Sequence, residues 1–184
     1  MKKLKPKSLV VAVVFVLIVF IIITNLNRNQ EEITIVSNIK DYNYNLESNE
    51  TRIYKKYFNE LKEELSDNKI DEENYAKLVC KLFVIDFYTL NNKITNQDVG
   101  GLQFISDKIK DNFYDKAINT MYKYVKSNIY GNRYQKLPEV KDVDIKELNA
   151  IHYKEKEVND PSSYEVKVKI NYKKDLDYQE EVTL

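Results

Sequence analysis

LPEVKDVDIKELNAIHYKEKEVNDPSSYEVKVKINY, residues 137–172, is where the hydrophobic period of the chain changes. Val140, Val143, Ile145, Leu148, Ile151 and Tyr153 keep a period of two with at least one slip, the pattern a strand with a β-bulge produces. NDPSS, residues 159–163, reads as the turn. YEVKVKINY then alternates cleanly, with Tyr164, Val166, Val168, Ile170 and Tyr172 on one face and Glu165, Lys167, Lys169 and Asn171 on the other. After KKDLD, the run YQEEVTL begins another strand and reaches Leu184 on an alternating pattern. A second arm that short leaves an unpaired edge, and the reading is a final strand lost or supplied by a partner.

Upstream of residue 137 the period is helical. Ile53, Tyr57, Leu61 and Leu65 recur every four residues, widened by Tyr54 and Phe58, and predict a first helix beginning near Asn49–Thr51. Asp71 is placed to cap a second, with acidic residues in its first turn. Its centre, Leu78 to Phe87, is apolar enough to be the most buried helix. Leu102, Ile105 and Ile109 suggest a short helix. A third is predicted from about Asp111 to Tyr130 through Phe113, Ala117, Met121, Tyr124 or Val125, and Ile129, with Gly131 just beyond its end. Helices at about 50–130 followed by strands at about 139–184 define an α+β domain.

The N-terminus carries a different signal. Lys2, Lys3, Lys5 and Lys7 precede Ser8–Asn27, twenty residues without a charge that include an unbroken apolar run from Leu9 to Ile23. That length matches a helix crossing about 30 Å of hydrocarbon. It exceeds the apolar region of a signal peptide, and TNLNRNQEE offers no small-x-small cleavage site. The positive flank predicts a cytoplasmic tail (1–7), a transmembrane anchor (8–27), a polar linker (28–49) pinned at Ile33, Ile35 and Val36 by the domain or by a partner, and an exported domain (50–184). This is the topology of a single-pass membrane protein with an extracellular C-terminal domain. Beyond the span stand 25 basic and 29 acidic residues, a net of −4, which argues against nucleic acid as partner.

Chemistry-bearing motifs are sparse. Gly100 and Gly101 in VGGLQF have neither phosphate-loop spacing nor a following Lys-Ser/Thr, and read as a tight turn allowing close approach. Thr95 and Asp98 partly imitate a capping box. His152 is the only histidine and Cys80 the only cysteine. One of each makes a zinc site implausible and a disulfide within the chain impossible. Cys80 reads as a core residue, and His152, with Glu155 as its conceivable carboxylate, as a surface one. The pairs Glu31–Glu32, Glu63–Glu64, Glu72–Glu73 and Glu180–Glu181 read as solvated faces, and Ser162–Ser163 lack a nucleophile-elbow context. Fifteen tyrosines without a tryptophan, with Tyr114, Tyr122, Tyr124, Tyr130 and Tyr134 close together, suit a half-open cleft or an interface. No catalytic, cofactor-binding or metal-ligating residues are assigned.

An N-terminal span, then helices with a hydrophobic central one, then antiparallel strands, resembles membrane-anchored members of the nuclear transport factor 2-like superfamily. The likeness lies in element order over roughly residues 50–184. It implies a curved sheet wrapped round the helices as a cone, the plan of exported scaffold subunits of type IV secretion and conjugation systems. The stretch KLFVIDFYTLNNKITNQDVGGLQF, residues 81–104, also looks like a segment of uncharacterised anchored proteins from low-GC Gram-positive bacteria. Against that plan the expectation is a last strand cut short, and no secretion-family signature is recognisable. The resemblance implies a structural or assembly component that binds envelope proteins or itself. The alternative, since the superfamily also hosts enzymes, is a small-molecule pocket between helices and sheet. A secreted toxin or inhibitor would require cleavage after the span.

Overall fold

The computed structural model describes residues 16–19, 33–155 and 158–184, with side chains described outside 155–161. Residues 16–19 form a helical turn; the rest of the apolar run, and with it the expected anchor at 8–27 and tail at 1–7, lies outside the described residues. Among the described residues no helix is long and apolar enough to cross a membrane.

The domain is α+β. Strands β1 (Ile35–Ile39) and β2 (Tyr44–Glu47) form an antiparallel hairpin. Helices α1 (Arg52–Glu64), α2 (Glu72–Tyr88) and α3 (Asp107–Asn119) follow, then a three-stranded antiparallel sheet in the order β3 (Val140–Glu155), β4 (Val158–Tyr172), β5 (Glu181–Thr183).

Both main helices begin as their caps require. The Thr51 hydroxyl accepts from the Tyr54 amide, and the Asp71 carboxylate accepts from those of Glu73 and Asn74. Helix α1 buries one stripe, Tyr54, Tyr57, Phe58 and Leu61. Helix α2 differs, because Leu82 to Asp86 are buried in succession and so cover its whole circumference. It packs against α1 on one side and β3–β4 on the other. Val140, Val143, Val166, Val168 and Ile170 close the core from the sheet. Tyr57 ties the three layers together: its hydroxyl donates to Asp142 at 2.8 Å and accepts from Lys81 at 3.1 Å.

The slips in the β3 pattern are real irregularities. The β3–β4 register shifts at Val140/Asp142, Ile145/Glu147 and Ile151/Tyr153. The first two coincide with the three-residue steps Val140 to Val143 and Ile145 to Leu148, where an extra residue returns the apolar side chain to the inner face. At the third shift Ile151 faces Ser163 while Tyr153 faces Asp160. This corrects the turn expected at NDPSS, since residues 159–163 belong to β4. A proline without an N–H is tolerated where the ladder is interrupted, so Pro161 does not end the strand.

Two further expectations are corrected. The polar stretch read as a linker at 28–49 contains the β1–β2 hairpin, which turns at Asn43 with φ +55° and buries Ile39 and Leu46 in the main core. The Gln103 side chain clamps Asn45 at both its amide and its carbonyl (2.8 and 3.1 Å) and donates to the Tyr54 hydroxyl. Ile35 and Val36 are 59% and 56% exposed, so the domain does not pin them and only the partner alternative is left for these two.

The third helix expected to reach Tyr130 ends at Asn119. Thr120 and Asn119 turn their side chains back onto the carbonyls of Lys116 and Asp115, and the Tyr122 amide reaches the Ala117 carbonyl. That turn drives Tyr122 into a second core with Leu90, Val99, Ala117, Val125 and Leu137. Of the two residues that helical spacing offered for the buried face, Val125 is in this core and Tyr124 is 75% exposed. Gly131 does adopt positive φ, but in a loop turn.

Candidate functional site

The segment Thr89–Gln103 leaves α2 and folds back over its last turns. Two side chains set this path. Asp86, two residues before the end of α2 and within its apolar stretch Leu82–Tyr88, is buried, and Lys93 reaches it from the loop at 4% exposure to form a tight ion pair. The other Asp86 oxygen accepts the Gly101 amide at 2.6 Å. The Gly100 amide donates to the Tyr122 hydroxyl at 3.0 Å, which donates in turn to the Phe87 carbonyl at 2.7 Å.

The glycine pair is architecture, as its spacing suggested, though the approach it permits is of loop to helix. A Cβ on Gly100 would run into the Asp86 backbone and carboxylate, and one on Gly101 would lie 2.6 Å from the Phe83 ring. Gly101 also holds φ +78°, a conformation side chains resist. Both glycine amides are spent on internal acceptors. Thr95 and Asp98 do not form a capping box and start no helix: the Thr95 hydroxyl accepts from the Gln97 amide and Asp98 from that of Ile94, so the two side chains brace a loop turn.

Between this turn, β2 and the entry to α1 lies a cavity of about 270 Å³, with Glu47, Glu50, Asp86, Asp98 and Lys93 on its walls. Lys93 is already taken up by Asp86 and the other ionisable wall groups are carboxyls, so the cavity offers a phosphate no free cation. Burial works to lower Lys93, but Asp86, with Glu50, Tyr122 and Asp98 behind it, outweighs that and holds the ammonium above the usual lysine range. Glu50 is pushed up to about 8, first by burial and then by the charge of Asp86, with Lys93 offsetting part of the rise. Burial, then Asp98 and Asp86, also raises Glu47. The acceptors Glu50 Oε2, Asn49 Oδ1 and Asn92 Oδ1 are buried without a hydrogen-bond partner among the described residues. No group of three or more His, Cys, Asp or Glu side chains is placed to hold a metal ion among the described residues.

The Glu50 shift has a sign that can be tested. Its folded value lies above the unfolded one, so stability is fully present below the unfolded value and is lost as pH rises towards about 8. Glu50→Gln keeps the neutral form at every pH. Denaturant unfolding should show the variant gaining on the native chain between pH 5 and pH 9, by on the order of a few kcal/mol at the alkaline end. Parallel pH curves would mean that Glu50 is solvated.

The remaining candidates are scattered. Cys80 is buried on α2, and burial pushes its thiol up to about 12. It should resist a thiol reagent in the folded chain and react at once in denaturant; rapid labelling of the native protein would contradict this placement. His152 is exposed on the outer part of β3, and the side chain of Glu155 lies outside the described residues, as does Glu31–Glu32. Glu63, Glu72, Glu73, Glu180 and Glu181 are exposed, whereas Glu64 accepts from the Asp71 amide and the Asn74 side chain, closing the α1–α2 turn. Ser162 and Ser163 lie in β4. The tyrosine group separates: Tyr122 is buried, Tyr114 is half-buried, and Tyr124, Tyr130 and Tyr134 face outwards.

Sequence reasoning missed the Asp86–Lys93 pair. A single aspartate in KLFVIDFYTL with a lysine seven residues on was the available signal. No protein-family model, curated protein or solved structure matches this chain.

Proposed function

We propose that this is a single-pass membrane protein whose exported domain works by binding, as a structural or assembly component of the cell envelope. The anchor is residues 8–27, with the N-terminus in the cytoplasm. The observation that carries the binding role is the β3–β4 hairpin. From Asn149 outwards no described side chain of β3 is buried, and β3 pairs only with β4 among the described residues. An arm with an open edge suits strand addition by a partner or by a second copy.

The rival reading, a small-molecule pocket between helices and sheet, has less support. That space is filled by Phe58, Leu61, Leu82, Ile85, Val143 and Val168. The polar cavity beside Glu50 keeps a weaker version of it alive, for a small molecule rich in hydrogen-bond donors. Helices preceding an antiparallel sheet agree with the element order of the nuclear transport factor 2-like plan, and membership of that superfamily is part of this proposal.

A photoreactive residue at Lys146, on the β3 edge, tests the binding role in intact cells. It should give discrete crosslinked species that the same residue at Lys69, in the α1–α2 turn, does not. Equal, diffuse labelling from both positions would remove the hairpin from the account.

A further inference from the structure

We propose that a basic stripe running from Arg52 to Lys174, with the exposed tyrosines of the loop beside it, is a docking surface for an anionic lipid bilayer.

Two adjoining grooves form the stripe. Arg52, Lys56, Lys141 and Lys173 line the first, and Lys136, Lys173 and Lys174 the second. Glu139, common to both, is their only acidic lining residue, and it is taken up by Lys173. Lys136, Lys141, Lys174 and Arg52 form no salt bridge within the described structure, although the chain beyond the apolar run is acidic overall.

The second groove continues into the loop 120–137. From Lys116 to Pro138 the chain carries no acidic residue, while Lys123 and Lys126 add to the positive charge. The loop is held in place by Arg133, whose guanidinium donates to the carbonyls of Asn91, Lys93 and Lys126, and by Gln135, which bonds the backbone at Tyr124 and Lys126. A loop pinned in this way still presents Tyr124, Ile129 and Tyr134 to solvent, Tyr134 at 97% exposure.

Lysines beside exposed tyrosines and an exposed isoleucine match the layers of a bilayer surface. Ammonium groups meet phosphates, tyrosine rings sit at headgroup level, and Ile129 reaches the acyl boundary. A nucleic acid or other polyanion would use the cations and the rings but leaves Ile129 without a role. The inference stands on the stripe and the loop, whether or not residues 8–27 span a membrane.

The test uses the full chain with Tyr134→Cys carrying a polarity-sensitive dye, since Cys80 is buried. Reconstitution is into phosphatidylcholine vesicles, or into an equal mixture with phosphatidylglycerol. Position 134 reports the loop alone, so an anchored chain with an undocked loop still reads as water. The mixture should shift the emission to the blue and allow quenching by acyl-chain nitroxides; phosphatidylcholine alone should do neither. Added salt should reverse the shift, a readout that needs no further variant. Lys126→Glu, Lys136→Glu and Lys174→Glu together should weaken docking on the order of a hundredfold, while Lys69→Glu should leave it intact. Water-like emission in both lipids would overturn the proposal. So would a shift produced by polyphosphate or an oligonucleotide and not by the anionic vesicles.

Discussion

Lys93→Met should cost the domain about 3–5 kcal/mol, because it leaves Asp86 charged, buried and without its cation. The lysine is also held by the field of Glu50 and Asp98, so the loss falls on the loop 89–101 as well as on α2. Asp86→Asn in the same chain should recover much of the loss. An amide needs no counter-charge and can still offer an oxygen to the Gly101 N–H. Chemical denaturation of the two single variants and the double completes the cycle. A cost under 1 kcal/mol for Lys93→Met would mean that water reaches the pair and that the ion pair does not fix the loop.

Phe83→Ala should be of similar size, about 3–5 kcal/mol, and for a different reason. Phe83 is a buried side chain of α2, stacked on Phe87 at 5.6 Å and tilted against Phe113 of α3 at 5.9 Å. It also lies directly beneath Gly101. Its removal opens a cavity where α2, α3 and the glycine turn meet, and three separate elements cannot all move in to fill it. Thermal or denaturant unfolding measures the effect, and a change below 1 kcal/mol would place the ring on the solvent side.

Much of this architecture is legible in the residues. The stripe Tyr54, Tyr57, Phe58 and Leu61 gives α1, the caps at Thr51 and Asp71 set where α1 and α2 begin, and the alternation from Tyr164 to Tyr172 gives β4. These are local signals, in which the side chain that shows the pattern also makes the contact. The failures are non-local. Asn45 looks like a linker residue until Gln103, remote in sequence, satisfies its backbone. Tyr122 leaves the helical period because its hydroxyl has a carbonyl and an amide to reach in α2 and the glycine turn. Pro161 suggests a turn until the register of β3 supplies a place without a ladder bond. The ion pair of Asp86 and Lys93 lies between these cases: its residues stand out in the sequence, and only folding shows that they meet. The basic stripe is drawn from α1, the 120–137 loop, the start of β3 and the segment after β4, so no single stretch of sequence carries it.

The central claim is that the domain acts by binding within the envelope. Its most direct test is a pull-down from crosslinked membranes of the source cell, with the intact chain as bait and the co-purified proteins quantified. The account predicts other envelope proteins, or further copies of this chain, in a fixed proportion that survives washing and falls when the β3 edge is blocked by proline at Lys146. Recovery of the bait as a lone monomer would contradict it, and would turn attention to the cavity beside Glu50.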